Sequence, residues 1–271
     1  MFPDQPIDPP SFELHSAAHS EPVAPVWHTL VLIAGIILMS FAGAQQLSGA
    51  NAQVNRLPTY AFTAGTELCM IAWIWFGLRL RKIPFRSLFG SVSGNFLSIA
   101  VDAGLAIAFW IGSLFVLATI AVFWTIVQMV IKHQPFPLPG KQLPPDPAQQ
   151  QTIHTLTQIA PTNAREVVAW VGLCILAGIA EELVFRGYLH RQFTAWARGA
   201  VVAGIAGSAL LFGAAHGYQG ARNMVLLTVF GALFSLLTIF RRSLRPGIFA
   251  HAWQDLVAGL VLAFVHAHHL L

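Results

Sequence analysis

Seven apolar stretches, separated by short polar segments, run along the 271-residue chain. They span about Trp27–Ala44, Tyr60–Leu78, Phe96–Ile131, Val167–Phe185, Ala200–Ala215, Val225–Phe240 and Ile248–Val265. Runs this long and this uniformly apolar predict transmembrane helices, since roughly 20 residues cross a ~30 Å hydrocarbon core. Backbone groups in lipid must bond within their own segment, which selects helices, and the period-two alternation of a membrane β-barrel is absent. The third stretch is longer than one crossing requires. Tilt, a kink near Gly112 or an extramembrane extension absorbs the excess, or the stretch splits into an eighth span. The expected fold class is therefore all-α: a polytopic helical membrane protein with seven, or eight, spans and no internal repeat.

The polar intervals divide the chain further. Residues 1–26 carry Asp4, Asp8, Glu13 and Glu21 but no Lys or Arg, so they lack the cationic start of a signal peptide and read as a flexible, solvent-exposed tail. Residues 27–131 hold the N-terminal membrane helices, 132–165 a proline-rich loop, and 166–265 a second membrane unit. Between the fourth and fifth stretches, Arg186 to Arg198 interleaves basic and aromatic residues, which predicts a short helix lying at the membrane interface.

Composition agrees with the pattern. The chain is 56% hydrophobic and 10% charged, with mean hydropathy +0.65, whereas soluble domains run near 25% charged. The net charge of +4 is no nucleic-acid signature, because the cations sit at the ends of apolar stretches. The connections holding Arg79 to Arg86, Arg186 to Arg198 and Arg241 to Arg245 fall on one side if spans alternate. The positive-inside rule then places the N-terminus in the cytoplasm and the C-terminus outside, in the cell membrane (the inner membrane, were the source bacterial). Cys69 and Cys174 both lie in apolar segments and read as free thiols, not a disulfide framework.

The chemistry concentrates in the second unit. Glu181 and Glu182 sit side by side in an apolar stretch, where an ionised side chain costs roughly 2.5–3.5 kcal/mol on insertion scales. On a helix Glu182 and Arg186 are four apart and face each other as an ion pair. Glu181 points roughly 100° away and is left free to act as general base for a water. His216 ends the fifth stretch and could hold the same water or bind a metal. His251 and Asp255 share a helical face at the start of the seventh, where a carboxylate can fix an imidazole tautomer. Each group also has a structural reading: an ion pair for Glu182 and Arg186, an interfacial or core histidine for His216 and His251. Glu67 and Asp102 are further acids in apolar stretches, read as helix-packing hydrogen-bonders. His266, His268 and His269 read as a polar chain end.

Glu181-Glu182-x-x-x-Arg186, Phe212-x-x-x-His216 and His251-x-x-x-Asp255, each on its own apolar segment, resemble the motifs of the CAAX-protease and bacteriocin-processing (CPBP, or Abi) intramembrane proteases. These are relatives of the type II CAAX prenyl endopeptidase. The resemblance covers about residues 165–265, and the first 160 residues carry none. It implies an intramembrane endopeptidase acting on peptide or membrane-protein substrates within the lipid bilayer. Glu181 and His216 would activate water, His251 and Asp255 would stabilise the oxyanion, and Glu182 and Arg186 would brace the site. The family's last motif often ends in Asn. An ionised Asp255 cannot donate to an oxyanion as an amide can. Family names include "metalloprotease", and His216, His251 and Glu181 form a candidate zinc ligand set. The His-Glu-x-x-His helix of soluble zinc proteases is missing, however, and a metal-free glutamate mechanism fits the resemblance better.

Two rival readings use the same residues. Buried acids and histidines also build proton relays, so a proton-coupled transporter is one alternative, though inverted repeats and paired broken helices are absent. A non-catalytic membrane scaffold or immunity protein is the other. Simple span counting leaves a conflict, because it puts Glu181 towards the cytoplasmic side and His216 at the opposite end of the next helix.

Overall fold

The computed structural model describes residues 21–47, 54–134 and 147–268, so most of the N-terminal tail lies outside the described residues. Regular structure there is helical apart from one isolated bridge, Gly90 to Ser243. The order is α1 (Val26–Leu47), α2 (Arg56–Leu80), a 3-10 turn (Phe85–Phe89), α3 (Phe96–Ile131), α4 (Pro147–Ile159), α5 (Ala164–Glu181), a π-helical segment (Glu182–Leu189), α6 (His190–Trp196), α7 (Val201–Ala215), a short 3-10 turn (Gly217–Gln219), α8 (Ala221–Arg241) and α9 (Arg245–Ala267). Among the described residues six helices are long and apolar enough to cross a membrane: α1, α2, α3, the continuous run Ala164–Trp196, α8 and α9. The apolar α7 is shorter, at 15 residues. Large apolar side chains such as Phe96, Phe115, Phe123 and Phe240 are exposed. A multi-pass membrane protein presents such a surface to lipid; a soluble monomer would not tolerate it.

Of the alternatives for the third stretch, α3 follows the undivided one and runs unbroken for 36 residues; two other expectations about segments change. The proline-rich interval contains a helix, α4, whose Ile153, Leu156 and Ile159 recur at helical spacing and which packs on α9 and α2. Arg186–Arg198 is not a separate interfacial helix. Its first part is a buried π-helical continuation of α5, every residue from Glu182 to Leu189 being buried. Within it Arg186 bonds to Gly231 and Tyr188 to His28, so these side chains point into the bundle and not to a surface.

The long helix through Ala164–Trp196 starts and stops by local chemistry. Asn163 caps it, Oδ1 accepting from the Glu166 N–H at 3.1 Å, while Glu166 Oε2 accepts from the Thr162 N–H at 2.8 Å. At the far end Arg198 and Gly199 take φ of 54° and 92°, and the Gly199 N–H bonds back to the Thr194 carbonyl at 2.8 Å. Two left-handed residues in succession reverse the chain, and α7 runs back along α6.

Small residues set the closest approaches between helices, as membrane packing favours. A Cβ at Gly178 of α5 would stand 3.0 Å from both Ala252 N and Ile248 O of α9. α1 is tied down by hydrogen bonds. Ala24 N–H donates to Gln192 Oε1 at 3.1 Å, and Gln192 Nε2 returns one to Ala24 O at 3.0 Å. Buried His28 donates from Nε2 to the Trp73 carbonyl at 2.9 Å. Its Nδ1 therefore accepts from Tyr188 Oη at 2.8 Å, and Tyr188 accepts in turn from Thr29 Oγ1 at 2.8 Å. Buried Asp102 of α3, read from sequence as a helix-packing group, receives Arg241 Nε at 2.6 Å and also Arg245 Nε. That pairing fastens α3 to the turn between α8 and α9.

The basic connections also meet. Arg191 donates to Ser87 O at 3.3 Å, and the Ser91 N–H donates to Arg242 O at 2.8 Å. The Phe85–Phe89 turn, the start of α6 and the α8–α9 turn thus share one end of the molecule.

Gly178→Val should lower the thermal midpoint in detergent by several degrees, an overpacking cost of about 1–3 kcal/mol. Gly172→Ala, where a Cβ meets nothing within 4 Å, should leave it unchanged or slightly raised. Equal melting of the two variants would contradict the close α5–α9 contact.

Candidate active site

Glu181 closes α5 and Glu182 opens the π-helical segment, so the two adjacent carboxylates leave the helix where its turns widen. Segments of this kind are frequent at functional sites. Glu182 is fully buried, and its Oε1 lies 3.0 Å from Arg186 Nη1. The ion pair read from the spacing is present. The guanidinium, itself buried, lies between rings, 4.4 Å from the Phe212 centroid and 4.8 Å from that of Phe234. Its Nη2 donates to the Gly231 carbonyl at 3.3 Å. Cation–π contact and a carbonyl acceptor make up part of the hydration that burial removes.

The same Glu182 oxygen holds His251 Nδ1 at 3.1 Å. A carboxylate paired with Arg186 can only accept, so Nδ1 carries the proton. The imidazole lies near-parallel to Phe234 at 5.3 Å. Its Nε2 turns towards Glu181 Oε2 at 3.6 Å and Asp255 Oδ2 at 3.8 Å. Both separations exceed hydrogen-bond length. A nitrogen facing two carboxylates requires that a proton reside among the three groups. Asp255 therefore sits beside the far nitrogen of His251, while Glu182 fixes the tautomer.

His216 caps α7, and its Nδ1 lies 2.8 Å from the Phe212 carbonyl. A carbonyl only accepts, so Nδ1 donates, and in the neutral ring Nε2 keeps its lone pair. Glu181 and His216 line one cavity of about 630 Å³ together with Glu67 and Tyr218. The conflict from span counting disappears here. The fourth helix does not stop at Phe185 but continues to Trp196. Fifteen residues separate Glu181 from Trp196, and fifteen separate Val201 from His216, so the hairpin brings both side chains to one level.

The structure thus gathers Glu181, Glu182, Arg186, His216, His251 and Asp255 from α5, the π-helical segment, α7 and α9. Among the described residues no group of three or more His, Cys, Asp or Glu side chains is arranged to hold a metal ion. The candidate zinc set of His216, His251 and Glu181 is not gathered into such a group. At the chain end, His268 bonds the Phe264 carbonyl of its own helix at 2.8 Å, while the side chains of His266 and His269 lie outside the described residues.

Two cavity residues were not read as part of the site. Glu67 of α2 was treated as a packing group. Its signal was the buried spacing of seven through Tyr60, Glu67 and Ile74, which aims it at α5. Tyr218 follows His216 by two and carried no signal of its own. Its hydroxyl accepts from Gln219 Nε2 at 3.0 Å, which leaves its hydrogen free. Burial pushes the phenol up to about 12, with the charges of Glu181 and Asp255 adding to the shift, so it stays a neutral donor.

Residues 163–269 match the family model described as type II CAAX prenyl endopeptidase Rce1-like, which bears out the resemblance read from the three motifs. By its apolar helices the chain is a multi-pass helical membrane protein, and its residues 163–269 are similar to the type II CAAX prenyl endopeptidases. No curated protein and no solved structure matches the chain.

Removing Arg186 alone should strand the Glu182 charge. Arg186→Ala is expected to lose about 3–5 kcal/mol of stability in micelles, and Glu182→Gln in the same chain should recover most of it. Unfolding midpoints that do not respond to Arg186→Ala would contradict the buried pair.

Proposed function

We propose that this protein is an intramembrane endopeptidase that cleaves peptide bonds of membrane-associated substrates with a water activated by Glu181 and His216. The observation that carries the reading is the convergence of two free acceptors, the Glu181 carboxylate and the His216 Nε2 lone pair, on one cavity. A water between them gives both hydrogens to acceptors and keeps a lone pair for the scissile carbonyl. Glu181 takes the proton as the C–O bond forms.

His251 supports the oxyanion. Its Nδ1–H is held by Glu182, so a proton on Nε2 makes the ring a cation beside the developing charge. Asp255 cannot donate while ionised, and it shares that proton with His251 instead. The free hydroxyl hydrogen of Tyr218 offers a neutral donor in the same cavity. Glu182 and Arg186 act through His251 and are positioning residues. The outer part of the cavity is apolar, walled by Leu32, Ile36 and Met39 of α1 and Phe62, Met70 and Trp73 of α2. It suits an extended apolar segment or a lipid-modified peptide reached from the bilayer. The basic ends that share one face of the bundle support an N-terminus in the cytoplasm and residence in the cell membrane.

Comparison of membrane peptidomes from cells with wild type and Glu181→Ala should show substrates that accumulate uncut in the variant. With purified protein, Glu181→Ala should lower kcat by about 10²–10⁴-fold, with His216→Ala and His251→Ala nearly as severe and all three still inserted in the membrane. Full activity in Glu181→Ala would remove the proposed base. Wild-type biological activity in that variant would favour the scaffold reading, and ion flux independent of cleavage the transporter.

A further inference from the structure

The described residues lining the cavity include no Lys or Arg, yet two carboxyl groups share it, Glu67 and Glu181. Glu67 is the least expected. It comes from α2, outside the matched segment at 163–269, and is only 5% exposed. Its Oε2 has no hydrogen-bond partner among the described residues. The charged groups acting on it are Glu181 first, then His251 and Asp255. His216, Tyr218 and the hydroxyls of Ser40, Thr59, Thr63 and Thr66 make up the other polar lining, and the rest is mostly apolar side chains of α1 and α2.

An orphaned, buried carboxyl is expensive to retain without a task. As a packing group it would be bonded to a neighbouring helix, as Asp102 is to Arg241. Two carboxyl groups sharing a cavity within an apolar bundle hold a proton between them, because like charges in low dielectric resist joint ionisation. Environments that differ divide the roles. Glu181, beside His251 Nε2, stays the acceptor. Glu67, farther from the cation, keeps the proton.

We propose that Glu67 is a second catalytic acid of this site, protonating the leaving amine as the scissile peptide bond breaks. The proposal rests on the hydrolase reading above. In the first step water adds to the carbonyl carbon, the C–O bond forms and one water proton passes to Glu181. In the second the C–N bond breaks, and its electron pair takes the proton of Glu67. The proton on Glu181 then returns to Glu67 through the cavity, and both groups regain their starting states with one water consumed. The α2 helix, which the family match does not reach, thereby supplies chemistry and not only a wall.

The test uses the full-length protein in nanodiscs with two fluorogenic probes: a CAAX-type peptide and its analogue with a thioester at the scissile position. A thiolate leaves without a proton, so only the peptide needs the acid. Glu67→Gln should lower kcat on the peptide by about 10²-fold or more and keep thioester cleavage within about threefold of wild type. Glu67→Asp, which retains an acid, should cleave the peptide faster than Glu67→Gln. Equal loss on both probes, or loss on neither, would overturn the role of Glu67, and the first outcome would do so even if it came from misfolding. Failure of the hydrolase reading looks different: wild type then cleaves neither probe, or Glu181→Ala still cleaves both.

Discussion

A fully buried carboxylate is the constraint on which the rest of this structure depends. Glu182 is cut off from solvent, and its Oε1 meets both Arg186 and His251. Arg186 is in turn sandwiched by Phe212 and Phe234, and those rings come from α7 and α8. One ion pair therefore recruits the π-helical segment, α7, α8 and α9 to a single point. A single change that opens it exposes an unpaired charge to an apolar interior, where its cost is largest. The chemistry proposed for Glu181 depends on this arrangement because His251 cannot be aimed without Glu182.

The second determinant is the hairpin between α5 and α7. A helix that ran only to Phe185 would leave Glu181 and His216 at opposite faces of the membrane. Continuation through the buried π-helical turns to Trp196, then reversal at Arg198 and Gly199, brings the chain back by an equal length. α7 is short for a membrane span, and its shortness follows from that geometry. The widened turns at Glu182–Leu189 also let two adjacent glutamates serve different partners, Glu182 in the protein interior and Glu181 in the cavity.

Much of this was legible in the residues, for identifiable reasons. Apolar stretches of transmembrane length specify helices because lipid permits little else. The i, i+4 spacing placed Arg186 against Glu182, and the three motifs in order pointed to the family that the match at 163–269 supports. What was not legible depended on context. The basic and aromatic pattern of Arg186–Arg198 is the same whether a helix lies at an interface or continues a buried one, and only the partners of Arg186 and Gln192 decide. The helix at Pro147–Ile159 was hidden behind prolines. Asp102 lacked a visible partner because Arg241 and Arg245 are more than a hundred residues away in sequence. The zinc set looked complete by residue type, but the described residues do not gather it into a group that could hold a metal.

The central claim is spatial: an acid and two imidazoles from separate helices surround one wet cavity, with His251 fastened to Glu182. The most direct measurement is a side-chain-resolution cryo-electron microscopy map of the full-length protein in lipid nanodiscs. The account predicts His251 Nδ1 within hydrogen-bond reach of Glu182, as in the 3.1 Å contact here, and Glu181 facing His216 across ordered water. A map with His251 turned away from Glu182, or with Glu181 and His216 opening on different faces of the bundle, would contradict it.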